Sequence, residues 1–124
     1  MRGVLITFEG VEGSGKSTQI RRLERWLRRE RYRPEVTREP DGTALGAAVR
    51  RLFERPGVKP QPLTEMFLFM AARRQHVIEK IGPWLRGGHV VLCDRYTDAT
   101  VAYQGYGRGV GPQLIRAMKL HAAG

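Results

Sequence analysis

Gly10 is followed, after four residues, by Gly15-Lys16-Ser17, and the stretch Gly10-Val11-Glu12-Gly13-Ser14-Gly15-Lys16-Ser17-Thr18 can wrap a chain of phosphates. Glycines are needed because backbone amides must turn inward onto phosphate oxygens, where a Cβ would intrude. Lys16 adds a mobile positive charge, and the Ser17 hydroxyl can hold a magnesium ion. A second chemical signal lies far along the chain, in Val90-Val91-Leu92-Cys93-Asp94-Arg95-Tyr96. An apolar strand ending in a carboxylate can place Asp94 on magnesium or its water shell, and an aspartate there can also cap a following helix. Arg95 beside it offers a planar, two-pronged contact to a phosphate.

These residues need a scaffold that brings distant segments together. Val4-Leu5-Ile6-Thr7-Phe8 reads as a buried parallel strand, and Ile20, Leu23, Trp26 and Leu27 recur at helical spacing behind the glycine loop. Strand, glycine loop, helix is the order that aims a helix N-terminus at an anion. Glu35-Val36-Thr37 is expected to be a second strand, with Pro40 and Asp41-Gly42 marking a loop after it. Leu45, Val49, Leu52 and Phe53 suggest a second helix, and a long helix is expected from near Thr64, with Met66, Phe67, Met70, Val77 and Ile81 as its apolar stripe. Pro83 is expected to kink or restart that helix and Gly87-Gly88 to end it. A third strand is expected over 89–93, a helical segment over 98–104, a glycine-rich loop over 105–111 and a last helix from Pro112. Alternating strands and helices predict an α/β fold: a parallel sheet of the P-loop NTPase kind, flanked by helices on both faces. Ligands of such sheets sit beyond the strands' C-terminal ends, so residues 9–16, 38–41 and 94–96 are expected to converge as loops there.

With 124 residues the chain has the size of a single domain, here taken as 1–124. No apolar run approaches membrane-spanning length and no cleavable leader is visible. The single cysteine, Cys93, sits in an apolar run and reads as a small buried residue, so a cytoplasmic setting is expected. The net charge of +10 could signal nucleic acid, a membrane surface or an acidic small substrate. Much of it lies on one helix (Arg21, Arg22, Arg25, Arg28, Arg29), where a solvated face is the ordinary explanation. No aromatic residues alternate with that basic run as a stacking platform for bases would require, so no nucleic-acid partner is expected; a membrane partner is not expected either.

Taken together, residues 8–18, Thr37-Arg38-Glu39-Pro40, Leu68-Phe69-Met70-Ala71-Ala72-Arg73, Asp94-Arg95-Tyr96 and Ala102-Tyr103-Gln104-Gly105 resemble the bacterial type of the thymidylate kinase family, in order and in approximate spacing. The resemblance implies transfer of the ATP γ-phosphoryl group to the 5′-phosphate of dTMP, with Mg2+, in a homodimer. It implies that Gly10, Glu12, Gly13, Ser14, Gly15, Lys16, Ser17 and Thr18 bind nucleotide and that Ser17 and Asp94 serve the metal. Lys16, Asp94 and Arg95 would carry the catalysis, Arg95 holding the acceptor phosphate with help from Arg38 or Arg50. Glu12 would contact the acceptor's 3′-hydroxyl, and Glu39 joins the acceptor-binding set through its motif. Phe69 would stack on thymine and Arg73, one turn later, would bond the base edge, although Phe69 by its own context also reads as a core aromatic. Thr100 and Gln104 match polar contacts to the base, and Tyr103 the aromatic that sits against the sugar.

The sequence departs from the family pattern in two ways. Asp41 stands where the family usually has glycine, which brings an extra carboxylate toward a bound phosphate. The chain also stops at Gly124 whereas the family continues, so further strands, the adenine loop and the lid with its catalytic arginine are expected to be missing at this C-terminus. Such a chain is expected to be weakly active or inactive alone. The alternatives are another P-loop kinase of a deoxynucleoside or a different nucleoside monophosphate, a non-catalytic nucleotide-binding fragment, and an ATPase stimulated by nucleic acid. The last would show tight, strongly salt-dependent binding.

Overall fold

The computed structural model describes residues 2–10 and 15–96. In chain order these form β1 (Val4–Gly10), α1 (Lys16–Arg29), β2 (Pro34–Glu39), α2 (Ala44–Glu54), α3 (Pro62–His76), a π-helical turn (Val77–Ile81), α4 (Gly82–Arg86) and β3 (Val90–Tyr96). The three strands are parallel in the order β1-β3-β2. Parallel neighbours need crossovers, and the helices supply them. Because β3 is central, its Val91, Leu92 and Cys93 are 0% exposed, which accounts for their unbroken apolar run.

Side chains alternate across the sheet, and the pairing register shows which share a face. Val90 and Leu92 of β3, with Ile6 and Phe8 of β1, pack on Ile20, Leu23 and Leu27 of α1. The opposite face carries the rows Thr7–Cys93–Thr37 and Glu9–Arg95–Glu39. There α3 covers the sheet, with His76 Nε2 2.7 Å from Thr37 Oγ1. Helices therefore lie on both faces.

Several boundaries differ from the sequence expectation. All three strands run past the expected ends, so Glu9, Gly10, Arg38, Glu39, Asp94, Arg95 and Tyr96 are strand residues and do not belong to loops. Pairing continues through these polar residues because each strand end still has a hydrogen-bonded neighbour. α3 starts at Pro62, where a proline at the first helical position loses no intrahelical bond. Pro83 does not interrupt the helical path. A π-helical turn precedes it, in which the Gly82 amide bonds to the Val77 carbonyl, and this wider turn accommodates the ring. Trp26 is 47% exposed instead of lying in the core, stacked at 6.5 Å on Tyr32 beyond the helix end. The exposed arginines of α1 form a solvated face. The elements expected beyond residue 96 lie outside the described residues.

Candidate active site

The N-terminus of α1 begins at Gly15, whose φ of +83° is left-handed and open only to glycine without strain. Among the described residues no side chain caps this helix, and its first turn holds no acidic residue, so its leading amides are suited to an anion. Lys16 is buried. Its Nζ donates to the Gly10 carbonyl at 2.6 Å and pairs with Asp94 Oδ1 at 2.7 Å. The lysine thus ties the end of β1 to the end of β3. The Ser17 hydroxyl, exposed in the first turn, and the Asp94 carboxylate, 28% exposed, are hard oxygen donors of the kind Mg2+ takes. Thr18 is exposed beside them.

Arg95 follows Asp94 directly, and strand alternation sends it to the other face. It meets Glu39, its register partner on β2, with Arg95 Nε 3.2 Å from Glu39 Oε1. That contact is an ion pair lacking hydrogen-bond alignment, and Nε is buried without another partner among the described residues. On its other side Arg95 Nη1 lies 3.7 Å from Glu9. Arg73 of α3 reaches the same Glu39 oxygen through Nε at 3.1 Å and Nη2 at 3.0 Å. The second Glu39 oxygen is 3.3 Å from His76 Nδ1.

Glu39 is thus a buried carboxylate facing two guanidinium groups and an imidazole. Burial alone would raise its pKa; the bond with His76 and the charges of Arg73 and Arg95 outweigh that and lower it from 4.5 to about 2. The ionised Glu39 can only accept, so the Nδ1–H of His76 donates a hydrogen bond to it. In the neutral ring, Nε2 is then left to accept from the Thr37 hydroxyl. Sequence reasoning missed His76. Its signal was present: His76 lies three residues after Arg73 and seven after Phe69, on one helical face.

The Cys93 thiol, beneath this network, is pushed up to about 12 by burial and by the Glu39 charge. Glu39, His76 and Cys93 offer ligand atoms within 4.8 Å of one another. The cluster is better described as ionic than as a metal centre. The carboxylate is taken by two arginines, both imidazole nitrogens are engaged, and the thiol is held protonated.

Beside the network, Phe69 stacks on Phe53 of α2 with centroids 4.9 Å apart and rings 7° from parallel, so α2 covers one face of that ring. Arg38, Asp41 and Arg50 form a second charged group. Asp41 Oδ2 lies 3.0 Å from Arg38 Nη2 and 3.1 Å from Arg50 Nη1. The Asp41 charge raises the Arg50 pKa further. Glu12, Gly13, Ser14, Thr100, Tyr103 and Gln104 lie outside the described residues.

The sheet therefore presents two polar groups at one end, Lys16 with Asp94 on the α1 face and Arg95, Glu39 and Arg73 on the α3 face. Comparison with known proteins identifies the family. The family model for thymidylate kinase matches residues 8–124. The chain is 48% identical to a thymidylate kinase of Desulfovibrio desulfuricans, the match covering 98% of this chain and 56% of that protein. It is 50% identical to one from Carboxydothermus hydrogenoformans, over 94% of this chain and 58% of the relative. It thus spans somewhat more than half the length of these curated relatives. A crystal structure of thymidylate kinase from Ehrlichia chaffeensis superposes with a TM-score of 0.80 at 41% identity, over 98% of this chain and 69% of that one. With its phosphate loop, sheet order and these matches in agreement, the chain belongs to the thymidylate kinase family.

Proposed function

We propose that these residues form the phosphate cradle and acceptor site of an ATP-dependent kinase that phosphorylates dTMP to dTDP. The observation that carries the reading is the division of charge between the two faces at the C-terminal end of the sheet. Lys16 and the α1 amides suit the phosphates of ATP, while Arg95 and Arg73, fixed by Glu39 beside Phe69, suit an anionic, base-bearing acceptor. The transfer itself belongs to the whole protein, since this chain spans 56–58% of the relatives above.

In the proposed reaction an acceptor phosphate oxygen attacks the γ-phosphorus, the bond to the β–γ bridging oxygen breaks, and ADP leaves. The attacking oxygen is already unprotonated, so alignment and positive charge are the main requirements, and a strong base is not. Lys16 moves from Asp94 onto the phosphates, a step eased by the partial exposure of that carboxylate. Ser17 and Asp94 would hold Mg2+, which when bound neutralises charge on the β- and γ-oxygens. Arg95 holds the acceptor phosphate, Arg73 the base edge, and Phe69 offers the ring face turned away from Phe53 to the base. Arg38 or Arg50 assists at the phosphate. Glu12, Thr100, Tyr103 and Gln104 complete the acceptor site by their match to the family motifs. A homodimer is supported by Leu63, Phe67 and Ile78, exposed large apolar residues that recur along one side of α3 and its π-helical extension. No helix among the described residues is long and apolar enough to cross a membrane.

The test is a calorimetric titration of the folded chain with dTMP, thymidine and AMP. Selective binding of dTMP, weakened at least about tenfold in Arg73→Ala, is the expected result, since a charged hydrogen bond is worth roughly 1.5–3 kcal/mol. A folded chain with no preference for dTMP would overturn the acceptor assignment.

A further inference from the structure

Asp41 places a carboxylate between two arginines suited to the acceptor's phosphate. Oδ2 binds both Arg38 and Arg50, while Oδ1 is buried and has no hydrogen-bond partner among the described residues. The Asp41 side chain is only 10% exposed, whereas those of Arg38 and Arg50 are 65% and 43% exposed. A soluble anion can therefore reach the arginines, but the aspartate cannot readily withdraw into water.

The backbone around Asp41 is confined as well. A Cβ on Gly42 would stand 2.5 Å from both the Arg38 carbonyl oxygen and His76 Nε2. Two residues further on, Thr43 caps α2 by accepting from the Gly46 amide at 3.0 Å. A Cβ on Gly46 would fall 1.7 Å from the Pro40 carbonyl oxygen. The turn is packed from several sides, so the carboxylate stays close when a phosphate arrives.

We propose that Asp41 is a specificity-determining residue: an internal counter-ion for Arg38 and Arg50 that competes with the acceptor's phosphate. The proposal rests on the acceptor-site reading given above. The phosphate would have to share or displace one fixed negative charge, which lowers affinity for the nucleotide and leaves the nucleoside unaffected. Asp41 thereby narrows the margin by which dTMP is preferred to thymidine.

The experiment compares the chain with its Asp41→Asn and Asp41→Gly variants, each checked for folding by circular dichroism. Two kinds of probe are titrated: inorganic phosphate, followed through the arginine Nε–H resonances, and dTMP beside thymidine by calorimetry. Both variants are expected to bind phosphate and dTMP about tenfold more tightly, with thymidine unchanged. Adding Arg38→Met and Arg50→Met should abolish the gain. Glu54→Gln, which removes a more exposed charge 3.4 Å from Arg50, should change affinity less than about twofold. The proposal is overturned if neither folded Asp41 variant gains affinity for phosphate or dTMP, or if both lose it. A gain with phosphate in a chain that binds dTMP no better than AMP would uphold the role of Asp41 and reject the dTMP reading. Selective dTMP binding with no effect at Asp41 would do the reverse.

Discussion

On the α1 face, Lys16 meets Asp94 at a carboxylate 28% exposed, and the neighbouring Ser17 and Thr18 side chains stand in solvent. On the α3 face, Glu39 is 8% exposed and holds Arg73, Arg95 and His76 at once. The same sheet end thus carries one charge pair whose carboxylate is partly exposed and one network gathered on a buried carboxylate. In the first, water can reach Asp94 when the pair opens, and the buried Lys16 keeps its bond to the Gly10 carbonyl. The second is fixed before any ligand arrives, because separating its members would leave charges buried and unpaired. For the proposed roles, a lysine whose partner is hydrated suits the phosphates of ATP, and an arginine pair anchored on a buried carboxylate suits an acceptor.

The contrast fails most visibly if Glu39 proves dispensable. Glu39→Gln keeps the volume but leaves Arg73 without its counter-charge and Arg95 with only the more distant Glu9, and should lower unfolding free energy by about 3–5 kcal/mol in a urea titration. A loss below about 1 kcal/mol would mean that the network is no more binding than the Lys16 pair.

Acid sharpens the same point. The folded pKa of Glu39, about 2, lies below the ordinary 4.5, so its stabilisation is complete above pH 4.5 and is lost as pH falls through 2. The amount at stake is on the order of 3 kcal/mol. Melting temperatures measured between those limits should fall more steeply for the wild-type chain than for Glu39→Gln; parallel curves would remove Glu39 as the cause.

Lys16→Met should have the smallest effect on stability, about 1 kcal/mol, because Asp94 can take up water when its partner is removed. Its consequence belongs to binding, where ATP affinity should drop at least about tenfold in a calorimetric titration. A larger loss of stability than in Glu39→Gln would invert the comparison.

The sequence made the α1 face easy to read, because Gly10, Gly15, Lys16 and Ser17 are close together along the chain and their spacing carries the geometry. The central strand was legible from the run 90–93, which is apolar because both its faces are covered. The α3 face was harder. Its ties join residues that lie far apart in the chain, as Thr37 does to His76 and Glu39 to Arg73 and Arg95. No local period encodes such pairs. Asp41 was visible as a misplaced charge, but its hold on both arginines depends on how α2 leaves the loop. Trp26 fitted a helical stripe and still faced outward, where it stacks on Tyr32, while Ile20, Leu23 and Leu27 pack on the sheet.

The adjacency of Asp94 and Arg95 makes the length of β3 a form of wiring. Deleting one apolar residue from this strand, Val91 for instance, would leave a sequence that still reads as a buried strand. If the N-terminal end kept its pairing, every later side chain would change sides. The carboxylate would then enter the α3 face beside Glu39 and the arginine the α1 face beside Lys16, with all the ingredients present and each in the wrong room. Substitutions along β3 can be tolerated by size and polarity, but insertions and deletions there are counted odd or even.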